Sequence, residues 1–379
     1  MKICYVANSR FPSERAHMTQ IVAMCNAFIK NGHEVTLFVT DRPTYITEKP
    51  EEFFGVPILF QIIRISVPDI AGRSPKIPAP LRPYLFFIQR IFFAYRAAKK
   101  IKHDCACTHV YGRDEWILWM LTHIISLPVM WESHEAKYSF VAKRLIAKIK
   151  KVVVISEGIR DFYRSHGVRD EKLLVAHDAV DERFFAPYIE VDTARKNLLI
   201  TTQKPVVMYI GGFETWKGLL TLLEASKSQD VFETYVIGGK EHEIASYRRT
   251  YPHVLFLGSK PYSELPMHQQ AADILVLPNT STSKISSEYT SPLKLFTYMT
   301  SGRPIVASRT ASIMNVLSDN EAYFFTPDDP NDLRNVIIGA IQNPQDAKGK
   351  ADSAYQKSKR YTWVNRAREI VDFTREEES

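Results

Sequence analysis

Cysteine is scarce in this chain, as are glycine fingerprints and long apolar runs. Cys4, Cys25, Cys105 and Cys107 are the only four cysteines in 379 residues, and none has CxxC or Cys/His zinc spacing. They read as reduced, mostly buried thiols of a cytosolic protein. The longest uncharged run, Trp116–Trp131, is interrupted by His123 and Pro128. It falls short of the roughly 20 apolar residues that span a bilayer, which excludes an integral membrane protein. No basic segment followed by a long apolar one precedes the β-rich run at Lys2–Ala7, so no cleaved signal peptide is expected. A Walker A loop and a GxGxxG fingerprint are both missing, which disfavours ATP hydrolysis and NAD chemistry.

What is present is an ordinary globular composition, with 45% hydrophobic and 24% charged residues. Its length makes two domains the default, each large enough for its own core. The formal charge of +7 is uneven: residues 1–180 carry 26 Lys+Arg against 17 Asp+Glu (+9), and residues 181–379 carry 23 against 25 (−2). The first half therefore suits an anionic partner: nucleic acid, a membrane surface or a phosphate-bearing substrate.

Strand and helix alternate from the start. After Lys2–Ala7, the residues Met18, Ile21, Val22, Cys25, Phe28 and Ile29 recur at helical spacing, Asn31-Gly32 closes the helix, and Glu34–Val39 is the next strand. This βαβ order predicts a parallel sheet with right-handed crossovers. A proline-rich connection (Pro68, Pro75, Pro78, Pro80, Pro83) leads into an aromatic helix near Tyr84–Lys102, and strands follow at 108–111, 129–132, 152–155 and 173–176. A second α/β series begins at 205–210 and runs to a strand at 304–307. The expectation is an α/β protein of two Rossmann-like domains with parallel sheets facing across a cleft, ligands lying beyond the carboxyl ends of the strands. The domains are expected at 1–180 and 181–359.

Three motifs sit at such strand ends. Gly211-Gly212-Phe213-Glu214-Thr215-Trp216-Lys217-Gly218 joins a strand to a helix, where backbone N–H groups, the helix dipole and the Lys217 charge suit a diphosphate; a tight βα turn is the plainer alternative. In Glu288–Met299, Pro292 suits a first helical turn with Ser291 as its cap, leaving the Thr290 and Ser291 N–H groups to point into the cleft beside Lys294. A capped amphipathic helix with an exposed lysine is the plainer alternative there. His134 lies just past the strand that ends in Glu132-Ser133, where it can meet a sugar hydroxyl or a leaving-group oxygen, although a lone histidine is more often structural.

With these motifs the chain resembles glycosyltransferase family 4, retaining nucleotide-sugar enzymes of the GT-B fold. The likeness runs through Phe11–His17, Val110–Arg113, Glu132–His134, Val153–Glu157, His177–Asp181, Trp216–Gly218, Ala272–Asn279, Tyr289–Lys294 and Ser301–Ser308, nearly the whole chain in order. It implies that Gly211, Gly212, Lys217, Lys294 and the Thr290 and Ser291 amides hold the donor diphosphate, with Lys217 and His134 catalytic. It further implies that Gly258, Lys260 and Pro261 lie beside the base, and that Ser9, Arg15, His17 and Arg113 lie on the acceptor side. A helix at about 360–379 would pack back onto the N-terminal domain. No cofactor is implied, the nucleotide diphosphate sugar being the donor substrate. No metal is implied either: there is no Asp-x-Asp pair in a suitable loop, and Lys217 and helix dipoles compensate the charge. The chain departs from the family at two places. Many members have arginine near Gly212, and the family's Glu-x7-Glu carboxylates, the second of which holds the ribose, fall on Tyr289 and Thr297. Glu288 is a candidate substitute.

The excess positive charge gathers in Arg82–Lys102 and Phe140–Lys151, both of which mix bulky apolar with basic residues as interfacial helices do. The alternative is aromatics in the core and lysines in water. No nucleic-acid motif accompanies the charge, so nucleic acid is not an expected partner. Together these readings point to a cytoplasmic enzyme, peripheral on the membrane through its basic N-terminal domain, acting on a glycan or lipid-linked acceptor. A catalytically silent binding subunit and a sugar-nucleotide epimerase or phosphorylase of the same fold are the rival readings.

Overall fold

The computed structural model describes residues 1–67, 78, 81–185 and 189–375. Most of the proline-rich connection (Pro68, Pro75, Pro80) and the last four residues of the expected C-terminal segment lie outside the described residues. The chain divides into two compact units, one of Met1–Ile155, Ile159–Ala176 and Trp363–Ser379 and one of Ser156–Gly158 and His177–Thr362. The divisions thus fall at 176/177 and 362/363 rather than at the expected 180/181 and 359/360.

The first unit is built on seven parallel strands: β1 (Lys2–Val6), β2 (Glu34–Thr40), β3 (Gln61–Ile65), β4 (His109–Gly112), β5 (Val129–Ser133), β6 (Val152–Val154) and β7 (Leu173–Val175), in the order β3-β2-β1-β4-β5-β6-β7. Central strands covered on both faces read as apolar runs, and β1 buries four of its five residues. The helix Ala16–Lys30 buries Met18, Ile21, Val22, Cys25 and Phe28 and stops at Asn31-Gly32, where Gly32 takes φ +81°. Strand order reverses between β1 and β4, which opens a crevice at their carboxyl ends. The C-terminal helix Trp363–Arg375 belongs to this unit: Ala367, Ile370 and Val371 are buried, and Asn31 Nδ2 donates to the Val364 carbonyl at 2.8 Å.

One expectation is overturned here. Cys4 on β1 and Cys107 just before β4 form a disulfide with Cα atoms 6.0 Å apart, so they are not reduced thiols. The parallel register that sets Cys4 opposite Val110 brings the two chain segments side by side. Cys25 is buried, and it and Cys105 lie outside this bridge.

The second unit repeats the plan with six parallel strands: β8 (Val206–Ile210), β9 (Glu233–Ile237), β10 (Val254–Gly258), β11 (Ile274–Leu277), β12 (Ile305–Ser308) and β13 (Tyr323–Phe325), in the order β10-β9-β8-β11-β12-β13. The order reverses between β8 and β11. Lys217 does not open the next helix. It closes a 3₁₀ turn, Thr215–Lys217, after which Gly218 takes φ +71° and the helix Leu219–Ala225 begins. Only glycine fits there, because a Cβ would run into the Pro278 carbonyl oxygen. Among the described residues no helix is long and apolar enough to cross a membrane.

Candidate active site

In the first unit the strand ends at the switch point line a cavity of about 420 Å³. Asn8, Ser9 and His17 come from the loop and helix after β1, Arg113 from beyond β4, and Ser133 and His134 from the end of β5. Sequence reasoning selected Ser9, His17, Arg113 and His134, and the fold gathers all four. Beneath them lies Glu132, 3% exposed and missed from the sequence. Its Oε1 accepts from His134 Nε2 at 2.5 Å, and its Oε2 accepts from Arg366 at 3.1 Å and from the Tyr111 hydroxyl. Arg113 Nε stands 3.7 Å from Oε1. Burial alone would raise the Glu132 pKa, but Arg366, the His134 N–H and Arg113 outweigh it and hold the carboxyl well below the usual range.

This network fixes His134. Nδ1 faces the Arg113 guanidinium, which can only donate, so Nδ1 accepts and Nε2 carries the proton given to Glu132. Burial, then Arg113, lower the imidazole pKa from 6.5 to about 4 against the pull of Glu132. His134 is thus a neutral, braced wall of the cavity, with both ring nitrogens committed to protein partners. His17, 2.9 Å from Ser9 Oγ, is likewise lowered from 6.5 to about 4, by burial first and then by Arg113 and Arg15.

A pH dependence follows from the two imidazoles. Both bind protons more readily in the unfolded chain, so their contribution is fully present above about pH 6.5 and is lost as pH falls toward 4. Stability should fall by up to about 1.4 kcal/mol per pH unit per ring in that window, less at the more open His17. NMR titration of the ring protons should find both midpoints below pH 5, and a midpoint above 6 for either ring would refute this account.

In the second unit, the β8 turn brings Lys217 and Lys294 to one spot. A Cβ on Gly212 would lie 2.9 Å from Lys217 Nζ, and Lys217 pairs with Glu214 at 2.8 Å. Lys294 Nζ is buried, lies 4.3 Å from the Tyr209 ring centroid and has no hydrogen-bond partner among the described residues. Burial, then Lys217, push its pKa well below the lysine norm, with Glu214 opposing. The turn is held by the Tyr209 hydroxyl donating to the Gly212 carbonyl at 2.7 Å and by the Ile210 N–H donating to the Tyr298 hydroxyl at 2.8 Å. Glu214 and Tyr209 were missed from the sequence, although Glu214 stands three residues before Lys217.

The segment before Lys294 differs from expectation. Ile285–Tyr289 is a π-helical turn whose closing bond uses the Thr290 N–H, donated to the Ile285 carbonyl at 2.9 Å, so that amide is not free for a phosphate. The next helix is Leu293–Met299 with Pro292 at its N-cap, and Ser291 does not cap it. The Ser291 hydroxyl accepts from the Asp178 N–H at 2.8 Å instead. Thr297 is buried, accepting from Gln269 at 3.0 Å and donating to the Lys294 carbonyl at 3.1 Å, so its hydroxyl faces the core and not a ligand. Glu288 and Tyr289 are half-buried in the π turn, and the Glu288 carboxylate has no hydrogen bond or ion pair among the described residues. Gly258 ends β10 at φ +72° with open space where a Cβ would stand, followed by exposed Lys260 and by Pro261. A larger cavity, about 830 Å³, opens at the opposite strand ends near Pro205, Asp273 and Pro304, and neither lysine lines it.

Comparison with known proteins agrees with this division. Residues 19–184 match the family model described as Glycosyltransferase Family 4, and residues 204–343 match that described as Glycosyl transferases group 1. A D-inositol 3-phosphate glycosyltransferase of Corynebacterium urealyticum is 24% identical over 57% of this chain and 53% of its own length. An uncharacterized glycosyltransferase of Methanocaldococcus jannaschii is 24% identical over 41% of this chain and 44% of its own. The chain spans about half the length of the curated relatives it matches. Among solved structures, Anabaena HepE in complex with UDP has a TM-score of 0.76 at 16% identity, covering 99% of this chain and 100% of that one. Sucrose-phosphate synthase from Thermosynechococcus elongatus has a TM-score of 0.76 at 17% identity, covering 99% and 98%. These structures establish the GT-B fold of two parallel-sheet α/β domains, and with the two family models they show that the chain belongs to the family 4 glycosyltransferases.

Proposed function

We propose that the protein is a retaining, metal-independent glycosyltransferase. It moves a hexosyl or N-acetylhexosaminyl group from a nucleoside diphosphate sugar to a hydroxyl of a glycan or lipid-linked saccharide, in surface polysaccharide or glycoconjugate assembly. The observation that carries this reading is the buried, unpartnered Lys294 ammonium beside Lys217 at the β8 switch point. A diphosphate satisfies both cations, and the charge that grows on it as it leaves strengthens those contacts in the transition state. HepE structures with UDP and UDP-glucose support a nucleotide sugar, and make UDP-glucose the first donor to try. Glu288, with no side-chain partner among the described residues, is the carboxylate available to the ribose, and Gly258, Lys260 and Pro261 flank the base. Ser9, Arg15, His17 and Arg113 serve the acceptor, with braced His134 between acceptor and sugar.

The test is nucleotide release from UDP-, GDP- and ADP-sugars with pooled neutral and phosphorylated acceptors, in buffer and in EDTA, with the anomeric configuration of the product assigned by NMR. Silence with every donor would leave a binding subunit, turnover without acceptor would indicate an epimerase, and an inverted anomer would refute retention.

We also propose that the enzyme works at the cytoplasmic face of an anionic membrane. On the helix Arg82–Asp104, the exposed residues Tyr84, Ile88, Ile91, Phe92 and Tyr95 recur at helical spacing on one face and run on into exposed Lys99, Lys100 and Lys102. The helix Phe140–Lys148 buries Val141, Ala142, Leu145 and Ile146 and exposes mainly charge. Apolar insertion therefore belongs mainly to the first helix, and the second adds attraction and one exposed aromatic, Phe140. Sedimentation with phosphatidylglycerol vesicles should fall at least tenfold in I88S/I91S/F92S, and less in a variant with Lys143, Arg144 and Lys148 neutralised. Equal sedimentation of I88S/I91S/F92S and the wild type would remove that helix from the argument.

A further inference from the structure

Next to the His134 cavity, and sharing Asn8 and Ser9 with it, is a second cavity of about 370 Å³. Among its lining residues are three arginines, Arg10, Arg15 and Arg42, against one acidic residue, Glu14. Arg42 is tied down, Nε donating to Thr40 Oγ1 at 3.0 Å and Nη2 to the Asn8 carbonyl at 3.4 Å. Arg10 and Arg15 have no side-chain hydrogen bond or ion pair among the described residues. Two further observations point the same way. The side-chain amide of Asn8, on the wall common to both cavities, has buried oxygen and nitrogen atoms with no partner. A buried amide left so costs stability unless a ligand or water meets it. The helix Ala16–Lys30 also begins here, with Arg15 at its N-cap and no side chain capping it, so its positive end adds to the same field.

We propose that the acceptor of the reaction is an anionic saccharide whose phosphate group docks in this cavity, on Arg10 and Arg15 with Arg42 behind, while its reacting hydroxyl lies in the adjoining cavity. This rests on the transferase reading and names the acceptor class that reading leaves open. Planar guanidinium groups bind phosphate in pairs of parallel hydrogen bonds, which orients the ligand as well as holding it. A neutral sugar would leave a net charge of +2 unbalanced in the wall. The phosphate has two possible sources: a soluble sugar phosphate, or the diphosphate of a lipid-linked saccharide.

Calorimetric titration of the full chain at physiological salt tests this with three probes: glucose 6-phosphate, glucose, and a short-chain prenyl diphosphate in neutral micelles read against empty micelles. At least one phosphate probe should bind tenfold or more tightly than glucose. The gain should disappear in R10Q/R15Q, whose side chains have no hydrogen bond or ion pair among the described residues to lose, and persist in K217A, which alters only a donor-side lysine. Response to glucose 6-phosphate supports the soluble source, and response to the prenyl diphosphate alone supports the lipid source. Binding of neither, binding undiminished in R10Q/R15Q, or binding abolished in K217A overturns the proposal. Phosphate binding that follows this pattern in a protein silent with every donor would defeat the transferase reading and leave the anion site standing.

Discussion

Lys294→Met is expected to lower kcat/KM for the donor by about 10²- to 10³-fold, the usual cost of one preorganised charge-stabilising group. The same substitution should leave the fold as stable as before or more so. In the empty protein the Lys294 nitrogen is buried against the Tyr209 ring with no hydrogen-bond partner among the described residues, a state that costs free energy and that methionine's similar shape removes. Opposite effects on activity and stability are the signature of a group kept for its ligand. Lys217→Ala should lose a comparable factor, but without the gain in stability, because Lys217 is paired with Glu214 at 2.8 Å in the empty protein. Donor titrations with nucleotide release, alongside urea unfolding, check both. Retention of Lys294→Met activity within threefold of wild type would remove Lys294 from diphosphate recognition.

Arg366→Met, on the C-terminal helix, is expected to be strongly destabilising. Glu132 is ionised and buried, and Arg366, itself 3% exposed, is one of two cations that hold it so. Removing one partner of such a pair leaves an undercompensated buried charge and costs about 3–5 kcal/mol. Adding Glu132→Gln should recover part of that loss, because the two sites share one contact and so cannot be additive. Urea unfolding of the two single variants and the double variant gives the coupling. If the losses simply add, the pair is not the linchpin described here.

Much of the architecture was legible because it is local. Helical spacing from Met18 to Phe28 and the strand-like runs on either side give a βαβ unit within the first forty residues, and the glycine turn before Lys217 spans eight. Contacts across long stretches of chain were not legible. Glu132 and Arg366 are 234 residues apart and Cys4 and Cys107 are 103 apart, and no spacing rule foretells either pair. The Thr290 amide was misread for a subtler reason. Proline at 292 does mark a helix start, but the residues before it wind into a π turn that takes up the amide, and that turn has no sequence signature as plain as a cap. The aromatic helix at Arg82–Asp104 shows the same divide: its composition announced an amphipathic element, while only packing revealed that Tyr84, Ile88 and Phe92 face outward.

The crowding of two lysines and one glutamate at the β8 turn links donor binding to solvent protons. Desolvation and Lys217 both favour the uncharged amine at Lys294, and only Glu214 opposes them. An arriving diphosphate reverses that balance, since its charge favours the ammonium. Whatever fraction of Lys294 is uncharged in the empty protein must then be recharged from the medium. On the proposed reading, donor capture is expected to draw protons from the medium, and binding heats measured in buffers of different ionisation enthalpy should differ accordingly.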